Sequence, residues 1–204
     1  MGLVSPKPMR TPQGLFAWQG DRHLQVYDDD FESPFLTATQ EHFSASARIW
    51  NQDCNCPEYL MKVKNALANE ENNADYWLQP ETKTKMLQIV ERELVTTQAE
   101  AVARKDTGCV FMFNQKNLEE LKLLYEIFSR DPETFDLIIM QMNPYIIERG
   151  KKIVLDEENI KDPYLFTSKL LDFKAEMDEM ISYSFSNQMK FQRARDNSFQ
   201  EFMN

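Results

Sequence analysis

The side chains that could support chemistry are a few carboxylates, and their spacing does not match a known reactive site. Asp28-Asp29-Asp30 with Glu32 lacks the alternating ligands and the central glycine of a calcium loop. Acidic residues in a first helical turn are favoured by the helix dipole, and we prefer that interpretation here. Glu91-Arg92-Glu93 falls within a predicted helix, where adjacent side chains point in different directions.

Cysteine and histidine give no stronger signal. Three cysteines (Cys54, Cys56 and Cys109) cannot all pair within one chain, and His23 and His42 are too scattered for a zinc site of familiar spacing. Without an apolar targeting core near the N-terminus, we expect reduced thiols and a cytoplasmic or nuclear location. The sequence also lacks a glycine-rich phosphate loop and a GxSxG motif. We therefore predict no catalytic, cofactor-binding or metal-binding residues, no cofactor and no enzymatic activity.

Charge and hydropathy narrow the choice of partner. The formal net charge of −10 disfavours nonspecific binding to nucleic acid or to anionic membranes. Arg149, Lys151 and Lys152 form a short basic cluster, which we interpret as a solvated face. The longest charge-free stretch near the middle, Leu137 to Ile147, is far too short to span a bilayer. We expect a soluble protein with protein partners, and no binding to nucleic acid or membrane.

Glycine and proline divide the chain into two parts. The first 20 residues hold three of the five glycines, and they also hold three of the nine prolines. Residues 1–24 are therefore predicted to be an irregular N-terminal arm, with Leu15, Phe16 and Trp18 packing it onto the body. Residues 25–204 show apolar residues at helical spacing in about seven stretches joined by short links, and no convincing strand pattern.

Start and stop signals place the predicted helices. Asn55 and Asn117 are each followed three residues later by Glu58 and Glu120, which predicts two capping boxes. Asp131-Pro132 and Asp162-Pro163 each combine an N-cap with a proline that fits the first helical position.

Other residues are predicted to interrupt or end helices. Gly108 is predicted to end the helix that opens at Pro80, as a left-handed cap. Pro144 and Gly150 predict a kink or an early stop, and Cys109–Phe113 is a turn of helix or a connector. Apolar stripes place Phe173 and Phe185 in the core. These patterns predict an all-α stacked bundle that serves as a scaffold or an interaction module.

Several short motifs, taken together and in order, resemble the N-terminal region of the cullin family. The segment Val26–Leu36 is similar to the cullin pattern V-Y-x-x-x-F-E-x-x-F-L. Its residues most resemble those of the third cullin class, which uses BTB-domain adaptors. The further matches, in chain order, are Glu58-Tyr59-Leu60 with Val63, Val90–Leu94, Leu124–Arg130, Gly150–Val154, Leu170–Lys174, and Ser184-Phe185 with Phe191 and Phe202.

The resemblance implies a scaffold built from five-helix cullin repeats, an α-solenoid-like stalk. Cullins hold a substrate adaptor at one end, and a RING protein with a charged ubiquitin-conjugating enzyme at the other. Residues 25–204 would supply part of the second repeat and most of the third. The adaptor-binding first repeat would precede Val26 and the RING-binding domain would follow Asn204. Because this sequence contains neither, BTB-adaptor binding is not expected and no binding residue is transferred.

Two hypotheses about function remain open at this point. The first is a rigid stalk segment of a cullin-RING ubiquitin ligase scaffold, acting in ubiquitin-dependent protein degradation. The second is a free-standing helical interaction module unrelated to ubiquitin ligation.

Overall fold

The computed structural model describes residues 26–204, and every regular element in that range is helical. The predicted arm, residues 1–24, lies outside the described residues. In chain order the α-helices are α1 (Ser33–Asp53), α2 (Cys56–Trp77), α3 (Pro80–Glu91), α4 (Ala99–Ala103), α5 (Cys109–Gln115), α6 (Leu118–Phe128), α7 (Pro132–Val154), α8 (Glu157–Lys161), α9 (Pro163–Ser184) and α10 (Met189–Met203). Each of the seven predicted stretches contains one of the longer helices. The short helix α4 lies within the stretch that opens at Pro80, and the short helices α5 and α8 lie between stretches.

Two five-residue π-helical turns adjoin the regular helices. Asp28–Glu32 leads directly into α1, and Arg92–Thr96 continues α3. A π turn widens the helix by one residue and so re-aims the side chains that it carries. The sequence pattern did not predict either turn.

The predicted N-caps at three helix starts are confirmed. Asn55 Oδ1 accepts a hydrogen bond from the backbone N–H of Glu58 at 2.9 Å, and Glu58 Oε2 accepts one from the backbone N–H of Asn55 at 3.2 Å. Asp131 and Asp162 each accept a hydrogen bond from the backbone N–H two residues later, both at 2.9 Å. These bonds satisfy donors that a helix leaves unpaired at its start, so the chain defines these boundaries locally.

The prediction for Gly108 is wrong. Its φ is −81°, which is not the left-handed region, and Gly108 is the N-cap residue of α5. The stretch from Pro80 already ends as regular helix at Ala103, after the second π turn. Glycine is needed at position 108 because a Cβ there would lie 2.3 Å from the carbonyl oxygen of Ala103. The run from Cys109 forms a short helix, one of the two predicted possibilities.

The predicted capping box at Asn117 and the predicted early stop at Pro144 or Gly150 are wrong, whereas the kink given as the alternative to that stop stays a prediction. Asn117 does not form a capping box, since its side-chain amide donates to Glu120 Oε2 at 2.9 Å and accepts no cap hydrogen bond. Helix α7 does not stop early, because it runs ten residues past Pro144 and includes Gly150. Gly150 leaves space for Phe202 of α10, because a Cβ at position 150 would lie 2.3 Å from Cδ1 of that ring.

The helices pack in an order that largely follows the sequence. Helix α1 packs on α3, α2 on α3 and α6, and α6 on α9, while α10 lies along α7. One apolar core runs through these layers, and its residues range along the chain from Phe43 of α1 to Phe202 of α10. Phe173 and Phe185 are 2% and 0% exposed, so their predicted placement in the core is confirmed. Among the described helices, none is both long enough and apolar enough to cross a membrane.

Candidate functional site

The first π turn presents a buried carboxylate to α3. Glu32 is 7% exposed, accepts a hydrogen bond from Thr82 Oγ1 at 2.7 Å and pairs with the ammonium group of Lys85. The hydroxyl of Tyr27 lies 3.1 Å from Thr82 Oγ1 and extends this network. The hydrogen bond from Lys85 is the main cause that lowers the pKa of Glu32, and it outweighs the opposing effect of burial. A buried charge with this set of partners fixes the register between two helices.

The second π turn also presents a buried carboxylate, this time from the chain that follows α3 to a side chain of α1. Glu93 is 7% exposed, and its Oε1 accepts hydrogen bonds from Gln40 Nε2 of α1 at 3.2 Å and from Arg92 Nη2 at 3.1 Å. Glu32, just before α1, meets the first turns of α3, and Glu93, just after α3, meets Gln40 further along α1. The two helices therefore run parallel. We call Glu32 and Glu93, with their partners, the α1–α3 clasp.

Sequence reasoning missed both carboxylates of this clasp. It attributed the run Asp28–Glu32 to the helix dipole and set Glu91–Glu93 aside because adjacent helical side chains diverge. Asp28, Asp29 and Asp30 are exposed, but Glu32 is not. The missed signal is helical spacing, because Glu32 continues the stripe formed by Leu36, Phe43 and Ala47. The partners of Glu32 lie about 50 residues away in the chain, so the sequence pattern could not supply them.

Two arginines join further layers. Arg130 Nη1, after α6, donates to Glu91 Oε1 at 2.7 Å and to Glu71 Oε1 at 3.1 Å, which links α2 and α3. These groups are about one third exposed or more, so this bridge orients the helices and contributes little stability.

The second arginine belongs to a more buried network around Glu176 of α9. The Glu176 side chain is 12% exposed, and it pairs with Lys116 at 2.9 Å and with both terminal nitrogens of Arg149, with Nη2 at 2.8 Å. Burial raises the pKa of Glu176, but the hydrogen bonds from Arg149 and Lys116 outweigh it and leave the pKa below its usual range. The guanidinium group of Arg149 also lies 4.8 Å from the ring centre of Phe173. Helices α7 and α9 are therefore held together by charge and by packing.

An aromatic cluster joins α6, α7 and the last two helices. The rings of Phe185 and Phe191 stack with centroids 4.2 Å apart and an interplanar angle of 13°. Tyr125 and Phe135 pack around them, with centroid distances to Phe191 of 6.2 and 5.3 Å. Stacked and edge-to-face pairs of this kind stabilise a core beyond the area that they bury.

The cysteines are placed as packing residues. Cys54, Cys56 and Cys109 are all free and buried. Burial raises the pKa of Cys56 and of Cys109 to about 12, so their thiols are protonated and poorly nucleophilic at neutral pH. Within residues 26–204 no group of three or more histidine, cysteine or acidic side chains is placed to hold a metal ion.

The comparisons with known proteins agree with this helical architecture. The model of the cullin alpha solenoid domain matches residues 13–204. This chain is a member of the cullin family. The match begins inside the stretch predicted as an irregular arm, at residue 13.

Several curated relatives are third-class cullins. The chain is 32% identical to Cullin-3B of Arabidopsis thaliana over 88% of its own length, and 29% identical to Cullin-3 of Dictyostelium discoideum over 91%. It is 26% identical to Cullin-3 of Caenorhabditis elegans over 88%. The matched region is 24–25% of each relative, so this cullin chain spans about a quarter of their length. The comparisons give no support to an interaction module outside the family.

The cullin-like motifs coincide with the contacts between helices. The first motif supplies Glu32, and Val90–Leu94 supplies Glu93 of the same clasp. The motif around Tyr125 contributes the aromatic ring and Arg130, and the last contributes Phe185 and Ser184, whose hydroxyl donates to the carbonyl oxygen of Leu118 at 2.8 Å. The recognisable residues of this cullin segment are therefore used to fix how its helices pack.

Proposed function

We propose that this chain acts as a rigid stalk segment of a cullin-RING ubiquitin ligase scaffold. The proposal rests on one observation: residues that carry the family resemblance lie in the clasp, in the Arg130 bridge and in the aromatic cluster. Side chains used in this way hold helices at fixed angles and distances. A segment whose motif residues hold its helices together is suited to keep the parts of a complex at a fixed distance and orientation.

A rigid spacer contributes to ubiquitin transfer through proximity and orientation. Holding a substrate lysine near the ubiquitin donor replaces a bimolecular encounter with an effectively intramolecular one, and a flexible connection weakens that advantage. Such a segment needs no catalytic residue or cofactor of its own. We expect it to work in the cytoplasm or the nucleus with protein partners, and the net charge of −10 argues against nucleic acid as a partner.

The test is a replacement within a related protein. In Cullin-3 of Dictyostelium discoideum, the matching quarter would be exchanged for this chain, and ubiquitin transfer to a bound substrate would be measured in a reconstituted reaction. We expect transfer to persist with the exchanged segment. A flexible glycine-serine linker that matches the length of the helical segment is the control, and it should reduce transfer by about tenfold or more.

Two outcomes would contradict the stalk proposal. Equal transfer with the flexible linker would show that rigidity has no role. Loss of transfer with this chain, in a protein that still folds and still binds its other subunits, would show that this segment cannot serve as the spacer.

A further inference from the structure

An apolar groove lies at the end of the molecule where the described chain begins. It has a volume of about 330 Å³ and is formed by the first π turn, α1, α2 and the start of α3. Its walls are mainly apolar, with Glu70 and Asn73 at the edge; the apolar lining residues are Phe31, Phe35, Ala74, Trp77, Leu78 and Met86.

The aromatic side chains of this groove are poorly covered within the described part of the chain. Trp77 is 68% exposed and Phe31 is 40% exposed, although Phe31 stacks on Phe35 with ring centroids 5.5 Å apart. Tyr76, beside Trp77, is 75% exposed. Large apolar surfaces that are rimmed by polar groups mark places where another segment or molecule binds.

The chain that precedes Val26 has the composition to fit this groove. It carries Leu15, Phe16 and Trp18 within four residues, and it belongs to the family match from residue 13 onward. Val26 lies five residues before Phe31 in the same helical run, a rise of roughly 7.5 Å. Eight residues from Trp18 to Val26 reach up to about 26 Å when extended, so the tether is long enough.

Charge favours the same occupant. The formal net charge of the whole chain is −10; residues 1–25 contribute +2 to it and residues 26–204 contribute −12. Glu70 borders the groove, and the exposed Asp28, Asp29 and Asp30 lie on the adjoining π turn. A basic segment with aromatic residues is therefore drawn to this end of an otherwise acidic body.

We propose that the groove is the docking site of the chain's own preceding segment, with the side chains of Leu15, Phe16 and Trp18 as its anchor. A second copy of this chain is the competing occupant. The two differ in whether a covalent trap forms within one chain or between two chains.

The experiment uses disulfide trapping in the full chain. Ala17→Cys with Asn73→Cys places one thiol beside the anchor and one at the groove, and neither substitution removes an anchor side chain. Asn197→Cys, at an exposed position on α10, is the matched control for Asn73→Cys. The native thiols are buried, so they react slowly. Disulfide formation under mild oxidation at low protein concentration would be followed on non-reducing gels, after reduced samples have been checked for unchanged thermal melting.

Two comparisons decide the result. We expect the Ala17→Cys/Asn73→Cys pair to close within one chain at least about tenfold faster than the Ala17→Cys/Asn197→Cys pair, because docking raises the effective concentration. Adding Trp18→Ala should slow the first pair by about tenfold, since a buried aromatic anchor dominates this kind of contact. Equal rates for the two pairs, or no effect of Trp18→Ala, would overturn the proposal. Disulfide-linked dimers as the main product would assign the groove to a second copy.

Discussion

Gly150 offers a sharp test of how α7 and α10 pack. Gly150 is buried in the middle of a helix, where replacing glycine by alanine ordinarily stabilises a protein by about 1 kcal/mol. Here an alanine Cβ would lie 2.3 Å from Cδ1 and from Cε1 of Phe202, whereas ordinary contacts begin near 3.4 Å. The Phe202 ring would have to move by more than 1 Å, and overpacking of this kind costs about 1–3 kcal/mol. We expect Gly150→Ala to lower the free energy of unfolding by about 1 kcal/mol.

The effect of Gly150→Ala on stability should change sign when the Phe202 ring is removed. Phe202→Ala alone should cost about 3–5 kcal/mol, because the side chain is 5% exposed. In that background Gly150→Ala keeps its helix propensity and meets no ring, so it should raise stability by about 1 kcal/mol. Urea unfolding followed by circular dichroism resolves such changes, since 1 kcal/mol moves the midpoint by roughly 0.3–0.5 M. A Gly150→Ala variant more stable than the wild type, with Phe202 intact, would refute this account of the α7–α10 contact.

Two further predictions concern the aromatic cluster and the charge network. Phe185→Ala should lower the free energy of unfolding by about 3–5 kcal/mol and the melting temperature by roughly 6–20 °C. Phe111→Ala, at a position that is 41% exposed, is the control and should change the melting temperature little. Equal melting temperatures of the two variants would contradict the core placement of Phe185. Because the pKa of Glu176 is lowered in the folded protein, its pairing stabilises the fold above the unfolded-state pKa near 4.5 and is lost as pH falls through the folded-state value. The stability difference between wild type and Glu176→Gln should therefore shrink as pH falls below about 4.5 in pH-dependent urea titrations; a difference that is constant with pH would argue against the pairing.

Local signals in the sequence were sufficient where the deciding contacts are local. Asn55, Asp131 and Asp162 mark helix starts correctly because a cap hydrogen bond joins residues two or three positions apart. The apolar stripes likewise identified Phe173 and Phe185 as core residues. The ordered motifs led to the cullin family, and residues of several of them make contacts between helices.

Local sequence patterns could not predict contacts between distant parts of the chain. Gly108 and Gly150 both resembled helix stops, yet one permits a close backbone approach and the other receives an aromatic ring from α10. Their roles depend on which helix lies opposite, and spacing along one helix does not carry that information.

The amino-acid sequence by itself determined the helical class, most helix starts, the core stripe and the family. The tertiary structure decided that Glu32 and Glu93 are buried and that they join α1 to α3. The physical reason is the cost of burying a carboxylate, which is acceptable where a distant donor lies within hydrogen-bond distance. Such donors, Thr82 for Glu32 and Gln40 for Glu93, are brought into place when the layers of the fold come together.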